Sequence, residues 1–481
     1  MCDVNPRPGE WKVQVRTITQ PASPEAIYMS LYSDRDIDSF WLDSARAAYG
    51  MGRYSVMGAA VEQRDHRVSY SSALREVRCS VTGLIAENVD IWEWLAHRVS
   101  INPCQPSSVH LPFVGGYVGY MGYGAPGGTA SVRVDPSARD AEFLNVSRYM
   151  VFDHESGDMH IVSVGPEDES ASAEEWAEKM VTRLQAISEP SALDDVVQFG
   201  SAEASVDRSR YLRDLAQVRE WLLSGESYEA CYTYNLRFST REAPFLTYRR
   251  LRHSNPSPYA AFLRFGTRQV MSCSPERYLL ANSAGWVETK PIKGTAARLA
   301  DEKADEVVSR ALALDPKTRS ENLMIVDLLR NDLGLVCSPG TVSVPKLMSV
   351  ESYATVHQLV SSVRGRLLPL EAAAVWGARA LFPPGSMTGA PKVRTVAMLD
   401  RLEAAPRGVY SGFIGHFSRC GSADLSVVIR TAVVDGDMVS IGTGGAITVK
   451  SDPVAELEET IAKSSAILRA FGRAHPLDEK D

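Results

Sequence analysis

Glu456, Glu459 and Lys463 stand near the end of the chain at spacings that one α-helix would bring onto a single stripe. Asp452-Pro453 supplies the start signal, an acidic N-cap followed by proline at the first helical position. At about 100° per residue the three charged side chains fall within roughly 60° of one another. Leu457, Ile461, Leu468 and Phe471 form an apolar stripe beside them. Such an arrangement is either a solvated face with one i,i+4 Glu–Lys pair, worth a few tenths of a kcal/mol, or the wall of a site. A further acid, Glu321, opens the mostly apolar run ENLMIVDLLRND. Alone it reads as a helix-start charge favoured by the dipole. Together, Glu321 and Glu459 could offer oxygen ligands from two helices to one hard cation. Mg²⁺ takes one or two protein carboxylates, several waters and an anionic substrate.

Other residues could do chemistry with an anion. Arg430 lies in LSVVIRTAVV, which alternates as a strand, with Leu425, Val427, Ile429 and Thr431 on one face and Ser426, Val428, Arg430 and Ala432 on the other. A buried arginine must meet a carboxylate, either a protein one or a substrate's. GTGGAIT places Gly444 and Gly445 where backbone N–H groups can approach a ligand, or where a glycine bulge sits. Lys293, in KPIKGTAAR, is either a strand-end charge or a nucleophile whose pKa falls in a closed apolar site. Glu276, after proline in CSPER, becomes a general acid if its surroundings raise its pKa.

These residues need elements to position them. The 481 residues carry 44% apolar and 23% charged side chains, a globular profile that excludes wholesale disorder. No run reaches the 18 to 20 apolar residues of a spanning helix, and the N-terminus lacks a secretory pattern. Seven scattered cysteines without a CxxC pair argue against a disulfide framework and structural zinc, and for a cytoplasmic setting. A net charge of −8 without a basic run disfavours nucleic acid. Residues 10 to 170 read as mostly β, with one helix near 89–99, and FVGGYVGYMGYG as a glycine-loosened strand pair rather than a nucleotide loop. A Ser/Ala/Asp-rich connector marks a boundary near 190–205, dividing a β-rich region, 1–195, from a denser one, 206–475. The latter reads as a helix over 207–224, strands near 228–238, 259–265, 269–273 and 277–281, one charged helix over 301–332 ending in a glycine cap at Gly334, and a final helix over 452–471. Strands in runs, without strict βα alternation, predict an α+β fold.

PIKGT, ENLMIVDLLRNDLG, GSMTGAPK, YSGFIG, IRTAVV, GTGGAIT and the DPxxExEETxxK tail occur in one order. In that order they resemble the chorismate-utilising enzymes, strongly over 206–472 and more weakly through FWLDSA, GRYSVMG and GGYVGYMGY. The resemblance implies an anthranilate synthase component I-like fold, a large antiparallel core of two packed sheets flanked by helices. Within the family, Lys293 distinguishes two outcomes. Anthranilate-forming members usually have alanine there and aminate C2 directly. In the branch this chain resembles, the lysine attacks C2 of chorismate and ammonia then enters at C4. Isochorismate- and salicylate-forming members carry a lysine base where SYEACYTYNL here places Glu229.

The resemblance further implies Mg²⁺ bound by Glu321 and Glu459, with Glu456 beside them through water. Tyr410, Arg430, Gly444, Gly445, Ala446 and Lys463 would clasp the substrate, and Ser386, Thr388 and Thr295 would line the site. Glu276 would protonate the departing hydroxyl, and His357 in YATVHQL would stand near the leaving group. Ser44, Pro258 and Tyr259 match a pocket where relatives bind tryptophan. No GxCxG-type nucleophile occurs, so ammonia is expected from a separate glutamine amidotransferase subunit. The product, 4-amino-4-deoxychorismate, would pass to a lyase or mutase, toward folate or a secondary metabolite.

Overall fold

The computed structural model describes residues 11–478 apart from 35, 47–48, 62–64, 106–108, 127–131, 136, 194–195, 197–199 and 354–355. Two antiparallel sheets of 12 strands each form the centre. Phe40, Tyr149, Phe262 and Phe265 on one sheet and Val118, Tyr120, Leu144 and Ile414 on the other are fully buried, and most of them join one cluster between the sheets. The outer face of the first sheet is covered by the helices Arg208–Leu223, Pro244–Ser254 and Pro453–Ala470. That of the second is covered by Ile91–Ser100, Pro316–Gly334 and Ala373–Leu381. The expected α+β architecture of two packed sheets flanked by helices is what the chain adopts.

Each sheet is assembled from two blocks. In the first, Ser39–Asp43 from the N-terminal part pairs with Tyr259–Phe265 from the C-terminal part. In the second, Gly116–Met121 pairs with Phe413–Ser418. The segments before 195 and after 206 therefore share both sheets edge to edge. Gly119, from the glycine-aromatic run, faces Gly415 across the second join. A Cβ on Gly119 would lie 2.0 Å from the Glu142 carbonyl oxygen of Ala141–Val146, the strand on its other side, so only glycine lets those two strands close.

Three local expectations are corrected. The helix read over 301–332 is two, Glu302–Leu314 and Pro316–Gly334. Proline cannot continue a helix and restricts the residue before it. Asp315 is extended there and accepts from the Thr318 N–H at 2.7 Å, capping the second helix. Gly334 is not a left-handed cap, because the helix closes at Leu335 in ordinary helical conformation. LSVVIRTAVV is not one strand, because Ala423–Val427 belongs to the second sheet and Thr431–Asp435 to the first. The chain turns between them at Arg430, with φ +50°. Five cysteines (104, 231, 273, 337 and 420) are free thiols, while Cys79 is disulfide-bonded. Among the described residues no helix is long and apolar enough to cross a membrane.

Gly119→Ala should lower the unfolding free energy by about 2 kcal/mol or more through overpacking against backbone. Gly334→Ala, with nothing within 4 Å of the added carbon, should be neutral or stabilising by up to about 1 kcal/mol. Denaturant titrations giving equal effects would contradict the close packing of Gly116–Met121 against Ala141–Val146.

Candidate active site

A buried ion pair bridges the two sheets at this site. Lys293 sits on the strand Ile292–Ala297 at the edge of the second sheet, and Glu229 opens the strand Glu229–Ser239 of the first. The Lys293 ammonium donates to Glu229 Oε1, and both side chains are buried. Gly294 lets the lysine strand bulge here, with φ +78°, and a Cβ on it would lie 2.3 Å from the Thr318 methyl. Burial pushes the Lys293 ammonium toward neutrality, but Glu229 and Glu321 outweigh it and hold the pKa well above the usual lysine range. That corrects the expectation of a lowered lysine pKa. The pocket is closed, but it is acidic rather than apolar.

Glu276 and Arg430 occupy the two neighbouring places where the chain passes between sheets. Glu276 lies between Arg268–Ser274 of the first sheet and Arg277–Ala281 of the second, and Arg430 marks the return crossing. The crossings are tied together. The Val427 N–H donates to the Glu276 carbonyl at 3.0 Å, and the Cys273 N–H to the Arg430 carbonyl at 3.1 Å. Burial raises the Glu276 carboxyl to about 7, against the opposing pull of the Ser386 hydroxyl, Lys293, the Ile292 N–H and Arg430. These groups therefore surround one carboxyl. Burial also lowers the Arg430 pKa, and among the described residues it forms no ion pair with a carboxylate. The protein-carboxylate alternative for Arg430 is thus not realised.

Gly444, Gly445 and Ala446 lie in the regular strand Met438–Ile447, opposite Thr233, Tyr232 and Cys231, without a bulge. On its other edge this strand pairs with Thr431–Asp435 only as far as Ile441. Beyond that point the edge from Gly442 to Ile447 has no neighbouring strand among the described residues. A Cβ on Gly445 would stand 3.4 Å from Glu456 Oε2, and one on Gly442 would enter the Tyr410 ring. Lys463 donates to the Gly444 carbonyl at 3.2 Å and pairs with Glu459 at 2.7 Å. Thr388 is buried with its hydroxyl turned onto Pro384 and Gly385 of its own loop, and Thr295 is exposed beyond the Gly294 bulge. His357 lies opposite Ala296, with Nδ1 on Ser352 Oγ at 2.7 Å and Nε2 on Asp305 at 3.0 Å. Both ring nitrogens are engaged within the protein. Residues 354 and 355 of its motif lie outside the described residues.

The three acids expected at a metal separate into two environments. Glu456 is 2% exposed on the last helix, whereas Glu459 has a half-exposed side chain. Glu321, on the helix Pro316–Gly334, is buried and its Oε1 has no hydrogen-bond donor. Lys317 stands between Glu321 and Glu456. Among the described residues no group of three or more His, Cys, Asp or Glu side chains converges as a metal cage. An oxygen pair with one unsatisfied member, already spanned by a cation, still suits a hard ion that keeps most of its waters. Ser44, Pro258 and Tyr259 are brought to one end of neighbouring strands, Asp43 lying opposite Ala260. Ser44 Oγ donates to the Tyr54 carbonyl, and Tyr259 is held between Arg277 and Asp424.

Sequence reasoning passed over the buried Arg407, which donates to Glu403, the Met387 carbonyl and the Cys231 carbonyl. It bolts the GSMTGAPK loop to the strand that begins with Glu229, and donates at 3.3 Å to the hydroxyl of Ser411, next to Tyr410 in sequence. The i,i+4 spacing of Glu403 and Arg407 was the available signal, obscured by Pro406 between them.

A family model for chorismate binding enzymes matches residues 39–469. The chain belongs to the chorismate binding enzyme family. Within that family it is 40% identical to the aminodeoxychorismate synthase of Streptomyces pristinaespiralis over 97% of this chain and 66% of that protein. It is 34% identical to aminodeoxychorismate synthase component 1 of Klebsiella aerogenes over 89% of this chain and 92% of that one. Anthranilate synthase component 1 of Pseudomonas aeruginosa is 33% identical over 95% and 94%. The chain spans just under two thirds of the length of the Streptomyces relative. The crystal structure of anthranilate synthase component I from Streptococcus pneumoniae superposes with a TM-score of 0.74 at 26% identity, covering 94% of this chain and 98% of that one.

Because no protein carboxylate is paired with Arg430, Arg430→Gln should leave thermal stability nearly unchanged. It should weaken chorismate binding by about 1.5–3 kcal/mol, the worth of a hydrogen bond to a charged group. Calorimetric titration with chorismate and a melting curve separate the two; a large loss of stability with intact binding would assign Arg430 a structural role.

Proposed function

We propose that the chain aminates chorismate at C4 with ammonia, giving 4-amino-4-deoxychorismate through a covalent adduct on Lys293. The observation that carries this reading is Lys293 itself, buried in acidic contact with Glu229 and within the field of Glu276. An ammonium cannot attack, so the paired carboxylate is the group that must take its proton. Lys293 passes one proton to Glu229, and the free amine forms a bond to C2. The ring double bonds shift, the C4–O bond breaks, and Glu276 supplies the proton with which water departs. Ammonia then bonds to C4, the shift reverses, and the C2–N bond returns its electron pair to Lys293. The new ammonium gives its proton to Glu276, and Lys293 recovers its own from Glu229. One difficult displacement becomes two allylic ones.

Arg430 and the free backbone edge at Gly444 to Ala446 supply donors for the substrate's carboxylates, with Lys463 and Tyr410 beside them. The resemblance pairs Glu321 with Glu459 at Mg²⁺. Because Lys317 already spans Glu321 and Glu456, we take these two as the pair that would hold it, with Glu459 near, and its charge would neutralise the ring carboxylate. The Ser386 hydroxyl favours the ionised form of Glu276. The name component 1 carried by the Klebsiella relative supports ammonia delivery by a partner glutaminase. A lyase or mutase would consume the product.

Incubation with chorismate, Mg²⁺ and ammonium, read by mass spectrometry, should give a C4 amine that retains the enolpyruvyl group and becomes p-aminobenzoate only when an aminodeoxychorismate lyase is added. Lys293→Ala should abolish that product or divert flux to anthranilate. Unchanged C4 amination by the variant, or anthranilate from the native chain, would overturn the reading.

A carboxyl with its pKa raised to about 7 is protonated below that pH and loses its proton above it. At constant free NH₃ the rate should therefore fall as pH rises through about 7. A rate that stays level through pH 8 would remove Glu276 from the acid role.

A further inference from the structure

Lys317 lies in the first turn of the helix Pro316–Gly334, one turn before Glu321. Its ammonium is 2.5 Å from Glu456 Oε1 and 3.7 Å from Glu321 Oε1. The first contact is a full charge-assisted hydrogen bond. The second is too long to be one, and Glu321 Oε1 is left buried without a donor. One compact cation thus sits between two carboxylates from different helices and satisfies only one of them. The lysine side chain is 35% exposed, and its flexible stem can carry the ammonium out to water.

We infer that Lys317 is a tethered counter-cation that occupies the Glu321–Glu456 pair in the metal-free protein and is displaced when a divalent ion binds. This rests on the reading of that pair as the Mg²⁺ site. The ammonium offsets repulsion between two buried carboxylates while the site is empty of metal. A divalent ion with its waters would offset the charge of both carboxylates, including the Glu321 oxygen that has no donor. The cost is a reduced apparent metal affinity, since only the fraction of molecules with Lys317 swung away can bind. The metal site would then fill readily only when a second favourable partner, such as an anionic substrate, is present.

The test is Mn²⁺ binding to the full chain without substrate, followed by electron paramagnetic resonance, with Mg²⁺ as competitor. If the lysine holds the site about three quarters of the time, Lys317→Met should tighten Mn²⁺ binding about fourfold. Arg319→Met removes an equal charge from the exposed side of the same helix and should change affinity far less, because its field is screened by solvent. Melting curves give an independent readout: Lys317→Met should melt below the native chain in EDTA and gain more from Mg²⁺. Unchanged or weaker Mn²⁺ binding in Lys317→Met, an equal gain in Arg319→Met, or a melting deficit that Mg²⁺ does not narrow would overturn the inference. Glu321→Gln separates the underlying reading: if it leaves Mn²⁺ affinity intact, the metal does not bind at this pair at all.

Discussion

The Lys293–Glu229 ion pair is the constraint around which the site is built. It joins an edge strand of one sheet to the opening residue of a strand in the other. Burying both charges is expensive, and removing either partner from such a pair typically costs about 3–5 kcal/mol. The surrounding acids make the arrangement one-sided. Glu229 and Glu321 both favour the ammonium, and Glu276 is close enough to feel it. A lysine held this way is stable and unreactive, so reactivity has to come from transferring its proton to a neighbour rather than from a depressed pKa. Glu229 is already hydrogen-bonded to it, and its second oxygen has no donor among the described residues.

The rest of the site follows from how the sheets are stitched. Two crossings of the chain from sheet to sheet lie side by side, hydrogen-bonded to each other, and each delivers one polar side chain into the gap. Glu276 arrives on the outward crossing and Arg430 on the return. Because strand pairing ends at the return crossing, the strand Met438–Ile447 continues past its neighbour and exposes a backbone edge at its glycines. Arg407 then fixes the GSMTGAPK loop against the strand that starts at Glu229. The acid, the cation and the free edge are consequences of one topological event rather than separate features.

Much of this was legible from residue types and their order. The last helix, with its cap, its proline and its Glu456/Glu459/Lys463 stripe, follows from periodicity and local capping chemistry, and Pro453–Ala470 is close to the range that those signals give. The two-sheet architecture and the family follow from ordered motifs. What could not be read depends on contacts across the fold. Strand alternation continues through LSVVIRTAVV without a break in pattern, yet the chain changes sheet at Arg430, because the register of both neighbours demands it. The sign of the Lys293 pKa shift depends on Glu229 and Glu321, which lie 64 and 28 residues away in sequence. Helical geometry places Glu456 and Glu459 on one stripe but cannot say which is buried; packing against Lys317 and Gly445 decides for Glu456. Asp315-Pro316 is the converse case, a local stop signal that the long charged pattern concealed.

The claim on which the account turns is that Lys293 itself bonds to the substrate. Mixing the chain with chorismate and Mg²⁺ while withholding ammonia, quenching in acid and digesting for mass spectrometry tests it directly. The account predicts a peptide containing Lys293 that has gained the mass of chorismate less one water, and that loses the adduct when ammonium is added before the quench. An unmodified Lys293 peptide under conditions where the same preparation makes the C4 amine would contradict it.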